Sequence, residues 1–226
     1  MGDLIRYLSA NRGQVATLFG EHLVLVGVAV GAAVAIGVPL GILATRDRRV
    51  EVAVLGVTNV LQTIPSLALF GFLIPVPFLG GIGASTAIVA LTLYALLPIV
   101  RNTHAGIRGI EPALTEAARG MGMTDRQLLG RVELPLAAGV IVAGVRIATV
   151  ISIGIATIAA AIGAGGLGVY IFQGLAMVND TVILAGAVPA ALLALTADGI
   201  LGWLSRRLTP PGTPGARSAS TAAGPT

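Results

Sequence analysis

No charged residue occurs between Val52 and Val100. A membrane-spanning helix needs about 20 predominantly apolar residues, so this stretch is too long for one span and suits two. A second uncharged run, Leu23 to Ala44, is long enough for another. The whole chain has 226 residues, of which 55% are apolar and 11% charged, against roughly 25% charged in an ordinary soluble domain. So short a soluble protein has nowhere to bury that much apolar surface. The composition therefore indicates an integral membrane protein. It excludes soluble four-helix bundles, secreted disulfide scaffolds and nucleic-acid-binding domains. With no cysteine there is no thiol chemistry or cysteine metal site, and His22 and His104 lie far apart in sequence without metal-ligand spacing.

Residues 1–22 mix Leu4, Ile5, Leu8, Val15, Leu18 and Phe19 with polar neighbours, the pattern of an interfacial helix or loose lead-in segment. The first span, 23–44, stops at Arg46-Asp47-Arg48-Arg49 and lacks the short apolar core of a cleaved signal peptide. The second is expected at about 52–74 and the third at about 84–100, broken near Pro75-Val-Pro77 and Gly80-Gly81-Ile-Gly83. A polar segment, 101–135, precedes a fourth span at about 137–162 and a fifth at about 182–204. The transmembrane domain is thus 23–208. The Pro/Gly/Ser/Thr/Ala-rich tail, 209–226, is expected to be disordered.

Every one of the 14 cations is Arg, and their placement orients the chain. Segments 46–49, 101–135 and 205–226 hold 11 of them, the opposite side holds Arg6 and Arg12, and Arg146 falls inside a span. The positive-inside rule then puts the N-terminus outside and the C-terminus in the cytoplasm. The lipid bilayer, rather than nucleic acid, accounts for the basic balance.

The segment 101–135 is the most informative. Thr115 is placed to cap a helix carrying Glu116 in its first turn, where the helix dipole favours an acid. Ala117, Ala118 and Met121 make a small apolar face, and Gly120 and Gly122 loosen or end it. Thr124-Asp125 is placed to cap a second helix through Leu128-Leu129, and Pro135 restarts the chain at the bilayer. A short helix with a small apolar face suits docking into a partner's groove. The plainer alternative is a solvated basic loop lying on anionic headgroups. A catalytic role for Glu116 is disfavoured because no nucleophile or second titratable group is arranged with it.

Glu116-Ala117-Ala118, Gly122 after three residues, and Val132-Glu133-Leu134-Pro135 after nine more match the pattern EAA-x3-G-x9-I-x-LP, with Val132 in place of Ile. This resembles the signature of the permease subunits of binding-protein-dependent ABC importers. The resemblance implies an all-α membrane protein of about five transmembrane helices, in the type I importer (MetI-like) architecture. It makes Glu116, Ala117, Ala118, Met121, Gly122, Leu134 and Pro135 the ATPase-coupling loop.

Further blocks narrow the group: IPSLALFGFLIP (64–75), ALLPIVRNT (95–103), EAARGMGMT (116–124), VELPLA (132–137) and IGAGGLG (162–168). Together they look like the permeases of osmoprotectant importers for glycine betaine, carnitine and choline. The implied partners are cytoplasmic ABC ATPase subunits, an extracellular or periplasmic solute-binding protein, and a second permease copy or homologous permease. The implied place is the bacterial inner membrane. The sequence has no G-x-x-x-x-G-K-[ST] motif, so the chain is expected to be no enzyme and to bind no cofactor, with ATP and magnesium held by the partner ATPase.

Three other features carry expectations. Gly163-Ala-Gly165-Gly166-Leu-Gly168 satisfies G-x-G-x-x-G. That motif binds dinucleotides only between a strand and a helix; here the glycines are expected to bend and pack the chain, followed by a short helix over 169–178. Asn59, Gln62, Thr63 and Ser66 share one face of a continuous helix, either lining a pathway or hydrogen-bonding to neighbouring helices, and both readings stay open. Arg146 and Asp198 each fall about 12–14 Å into the membrane at 1.5 Å per residue, and are expected to pair. The rival functions are a permease of the same class for methionine or a phosphonate, or an ion-coupled secondary carrier. The carrier would need relay acids and an internal repeat, and only Asp198 qualifies.

Overall fold

A computed structural model describes residues 2–76 and 81–209. Pro77, Gly80 and the tail beyond Thr209 lie outside the described residues, so the expectation of a disordered tail falls there too. Every element is helical among the described residues. A short α1 (Gly2–Ala10) leads into α2 (Arg12–Arg46), then α3 (Arg48–Thr63), α4 (Ser66–Leu73) and α5 (Ala84–Arg108). Next come α6 (Pro112–Gly120), α7 (Asp125–Leu128), a π-helical turn (Leu129–Glu133) and α8 (Leu134–Ile158). A 3-10 turn (Ala159–Ile162), α9 (Gly168–Ala176) and α10 (Asp180–Leu208) complete the chain. Four helices are long and apolar enough to cross a membrane: α2, α5, α10 and the unbroken run Asp125–Ile162. The bent pair α3–α4 makes a fifth crossing if counted as one.

Three boundaries differ from expectation. Helix α2 begins at Arg12, because no proline or left-handed glycine stops the helix between 12 and 22. Its 35 residues extend about 52 Å, well past a hydrocarbon core of about 30 Å. The second span is not one helix over 52–74, since α3 and α4 meet at 102°. Pro65 disfavours the α conformation for the residue before it, and Ile64 is extended at φ −73°, ψ 125°. Residues 101–108 continue α5 rather than opening a loop. The turn between α2 and α3 is a single residue. Asp47, extended at φ −138°, ends one helix and accepts from the Arg49 N–H at 2.6 Å to start the next.

The core is built from α2, α5 and α8, and it is lined by alanine. Ala29, Ala33, Ala87, Ala90, Ala148 and Ala156 are all fully buried. Side chains this small let backbones approach closely, the device on which helix association in lipid depends. Glycines extend the same contact: a Cβ on Gly41 would lie 2.6 Å from Thr103 Cβ, and one on Gly144 2.7 Å from the Pro98 carbonyl. Phe70 of α4, also fully buried, closes one side of this core. A second cluster joins Leu4 of α1 and Leu18 of α2 to Tyr170 of α9 and Val182 of α10. There Tyr7 and Tyr170 meet edge to face at 6.0 Å, a favoured aromatic geometry.

Candidate functional site

The segment between α5 and α8 folds into two short helices set by local chemistry. Pro112 opens α6 at its first position, where a missing N–H costs nothing. The cap is therefore Glu111, four residues ahead of the one expected at Thr115. The Thr115 hydroxyl instead donates back to the Pro112 carbonyl at 2.8 Å. Helix α6 stops in a Schellman motif: the Gly122 N–H donates to Arg119 O at 2.9 Å and the Met123 N–H to Ala118 O at 3.2 Å. Gly122 supplies the left-handed residue this stop requires, at φ +82°.

Helix α7 starts with the cap that Thr124 predicts. Its hydroxyl accepts from the Gln127 N–H, and the Gln127 side chain accepts from the Thr124 N–H at 3.0 Å, a complete capping box.

The two alanines of the motif do not share a face. Ala118 is buried, while Ala117 is exposed beside Glu116, because adjacent helix positions lie about 100° apart. The outward apolar face of α6 consists of Leu114, Ala117 and Met121, with Met121 73% exposed. Leu128 is buried on α7, which packs against α6 and the π turn.

Pro135 does not restart the chain. The helix runs from Asp125 to Ile162 without a break, and the π turn lies immediately ahead of the proline. Proline lacks an N–H and clashes with the carbonyl four residues back. Widening the turn, so that the Leu134 N–H reaches Leu129 O, absorbs that conflict. Leu134 is half-buried and Pro135 exposed.

The π turn ends at Glu133, a buried carboxylate that the sequence reading passed over. Both its oxygens accept from the Arg46 guanidinium at the end of α2, Oε1 from Nη1 at 3.0 Å and Oε2 from Nη2. A planar fork matched to a carboxylate is the strongest geometry such a pair can adopt. The available signal was an acid opening one apolar run and an arginine closing another. Nothing local says that partners 87 positions apart meet.

Four more polar groups gather on α3 and α5. Glu51 lies 3.1 Å from Arg48, 3.5 Å from His104 Nε2 and 4.0 Å from Arg108. Of the four polar residues expected on one face, the bend sets Ser66, which opens α4, apart from Asn59, Gln62 and Thr63 on α3. Asn59 accepts from Arg101 at 3.0 Å and the Gln62 amide donates to Tyr94 O at 3.1 Å, so both are engaged between helices. The exposed Thr63 hydroxyl bonds back to Val60 O at 2.7 Å, and Ser66 is half-buried. The Tyr94 hydroxyl donates to the Ile64 carbonyl, which the bend frees.

Arg146 and Asp198 come together between α8 and α10. Nε and Nη2 each donate to a carboxylate oxygen at 2.6 Å. Gly202, one turn on, leaves room for the guanidinium: a Cβ there would lie 3.0 Å from Nη1.

At the far end of α8 the glycine-rich loop has Gly163, Gly165 and Gly166 at positive φ. Glu21 accepts from the Gly166 N–H at 2.9 Å, and a Cβ on Gly165 would fall 2.3 Å from that carboxylate. The loop feeds into α9 at Gly168–Ala176, close to the helix expected there. No strand precedes the loop among the described residues, so the dinucleotide context is missing.

Relatives extend over nearly the whole chain. The glycine betaine/carnitine/choline transport system permease protein OpuCD of Bacillus subtilis (strain 168) is 50% identical over 205 residues, covering 90% of this chain and 88% of its own length. The osmoprotectant import permease protein OsmW of Salmonella typhimurium (strain LT2) is 48% identical over 212 residues, covering 93% and 99%. Among solved structures, a chain of the MetNI methionine ABC transporter in inward-facing conformations superposes with a TM-score of 0.78 at 27% identity, covering 89% of this chain and 99% of its own. Residues 37–210 match the family described as binding-protein-dependent transport system inner membrane component. The chain therefore belongs to that family, as a multi-pass permease of the inner membrane with a MetI-like fold.

Proposed function

We propose that this chain forms the translocation pathway for quaternary ammonium osmoprotectants, with glycine betaine, choline and carnitine as the solute class. The solute arrives on an extracellular binding protein, and two ATPase subunits on the cytoplasmic side drive its passage. ATP and magnesium belong to those subunits; this chain contributes docking and a path. The N-terminus faces outward and the C-terminus the cytoplasm, as the arginine distribution favours. A second permease, identical or homologous, completes the wall, because five crossings enclose too little.

The observation that carries this reading is helix α6. It is held by a proline start, a Schellman stop and a buried Ala118, yet it presents Leu114, Ala117 and Met121 outward beside the exposed Glu116. A rigid helix with an uncovered apolar face suits insertion into a groove. ATP binding would draw two such helices together, and hydrolysis would release them, so the pathway alternates between its two openings. Glu116, Ala117, Ala118, Met121, Gly122, Leu134 and Pro135 make up the coupling element. Asn59, Gln62, Thr63 and Ser66 are the candidate pathway residues. Thr63 and Ser66 have the stronger claim, since the other two already bond to α5.

The solute class rests on relatives 43–50% identical that carry osmoprotectant names, against 27% for the methionine system. The chain has only nine aromatic residues, few for an aromatic cage around a quaternary ammonium group, which leaves selection to the binding protein. The test is ATP-dependent uptake of labelled glycine betaine, choline and carnitine into vesicles holding this chain, its ATPase and its binding protein. Uptake should disappear with Glu116→Arg while the permease still inserts. Uptake of none of the three, with ATPase docking intact, would move the assignment to another solute such as methionine. Uptake persisting without the ATPase would favour a secondary carrier.

A further inference from the structure

Helix α2 is tied to both ends of α8. On one side of the membrane Arg46 holds Glu133, the residue immediately before α8. On the other, Glu21 holds the Gly166 N–H in the loop that leaves it. The two ties lie 25 residues apart on α2, about 37 Å of helix, more than the ~30 Å hydrocarbon core of a bilayer. Between them α2 and α8 share two buried clusters with α5, one holding Ala33 and Ala148 and the other Ala29 and Ala156 beside Leu25 and Ile153. Both helices pack more extensively on α5 than on each other, and the two ties are polar contacts that join α2 directly to the ends of α8.

Their placement relates to the coupling segment. Glu133 is the last residue of the π turn, and α7, the turn and α8 form one continuous helix. A displacement of α6 and α7 therefore reaches α8 along the backbone and α2 through the Arg46–Glu133 fork. At 4% exposure Glu133 has Arg46 as its ion-pair partner among the described residues. A buried carboxylate deprived of its partner is strongly unfavourable, so the pair resists separation when the segment moves.

We propose that α2 and α8 act as a single strut, fastened by Arg46–Glu133 and Glu21–Gly166, that carries the movement of the coupling segment to the opposite face. The glycine-rich loop is the strut's far end: its three left-handed glycines let the backbone fold onto Glu21 and swing with it. Arg46, Glu133 and Glu21 are positioning residues for transport, acting through the helices and not on solute. This rests on the reading of α6 as the ATPase dock.

The test uses the full complex of permease, ATPase and binding protein in proteoliposomes, with basal hydrolysis, binding-protein-stimulated hydrolysis and solute taken up per ATP measured separately. The paired replacement Arg46→Gln with Glu133→Gln leaves no unpaired buried charge. It should keep basal hydrolysis within about twofold while solute per ATP falls about tenfold, the upper range for residues that transmit coupling. The exchange Arg46→Glu with Glu133→Arg should recover most of that loss. Glu21→Gln should reduce solute per ATP about threefold with basal hydrolysis intact. Unchanged solute per ATP in the neutral pair overturns the strut. So does an exchanged pair that stays uncoupled, or a neutral pair that loses assembly and basal hydrolysis together, since the ties would then only hold the fold. Loss of ATPase binding in Glu116→Arg, with binding retained in the neutral pair, separates the dock from the strut. If Glu116→Arg still binds and couples, the dock and the strut fall together.

Discussion

Gly122 has open space around its Cα but a φ of +82°, so a methyl group there meets no neighbour and still strains the backbone. The left-handed conformation costs an L-residue about 1–2 kcal/mol. Gly122→Ala should therefore loosen the end of α6 by about that amount, read as faster amide exchange over residues 119–123 and weaker ATPase binding. The Arg146–Asp198 pair makes a contrasting case, because both side chains are only partly buried, at 38% and 40% exposure. Either single neutral replacement leaves one charge alone between α8 and α10, and the yield of inserted, folded permease should drop for each. The exchange Arg146→Asp with Asp198→Arg should return part of the yield. If Asp198→Asn were harmless while Arg146→Ala abolished assembly, the arginine would be serving some other partner. At this scale the sequence was informative where the signal is local or symmetric in depth. The Thr124 cap and the Arg146–Asp198 pair could be read from spacing. The Thr115 cap could not, because Pro112 offers a competing start that a capping preference alone does not rank.

The elements followed the hydropathy closely, since a lipid-crossing helix must bring its own backbone hydrogen bonds and its own apolar surface. Four crossings were legible for that reason, as was the short helix after the glycine-rich loop. The bend at Ile64–Pro65 was less so. Composition reports that 52–74 is apolar enough to cross, but not that a proline's effect on its predecessor turns the chain by 102°. The bend is stitched to α5 through the Tyr94 hydroxyl and the Gln62 amide. Tyr94→Phe should cost about 1 kcal/mol, the net worth of one hydrogen bond, and should lower the melting temperature in detergent without affecting insertion. Gly41→Ala should be worse, because its Cβ would lie 2.6 Å from Thr103 Cβ and 3.0 Å from the Val100 carbonyl. Overpacking of this kind costs about 1–3 kcal/mol, and Thr103→Ala in the same chain should relieve part of it. The Arg46–Glu133 contact belongs to this scale too: each residue is visible at the end of its own element, but which elements adjoin is decided by packing.

Taken whole, the molecule is asymmetric across the membrane. Among the described residues, the end that carries α6 and α7 also collects ten of the 14 arginines. The other presents α1, the extra turns of α2 and the glycine-rich loop. Trp203 sits near the arginine-rich end of α10, with the Arg207 guanidinium 5.3 Å above its ring, a pairing suited to the headgroup level. A fluorescent protein fused after Thr226 should fold and fluoresce in cells, while alkaline phosphatase at the same position should stay inactive. The reverse result would invert the orientation and place α6 away from any cytosolic ATPase.

The alanine-lined interior has a consequence for how such a sequence can drift. Alanine has no side-chain rotamers to freeze, so a core made of it assembles without that entropic loss, but each residue also contributes little buried area. Replacement by glycine removes one methyl and loosens the backbone by about 0.5–1 kcal/mol; replacement by valine or leucine meets a helix already in contact. A saturation scan at Ala29, Ala33, Ala87, Ala90, Ala148 and Ala156 should thus tolerate glycine and serine and reject everything larger. Most protein cores vary by trading large residues for one another. At these six positions there is no room for such trades, so change there should be confined to the smallest side chains, while Phe70, Leu91 and Ile99 in the same interior keep the ordinary latitude.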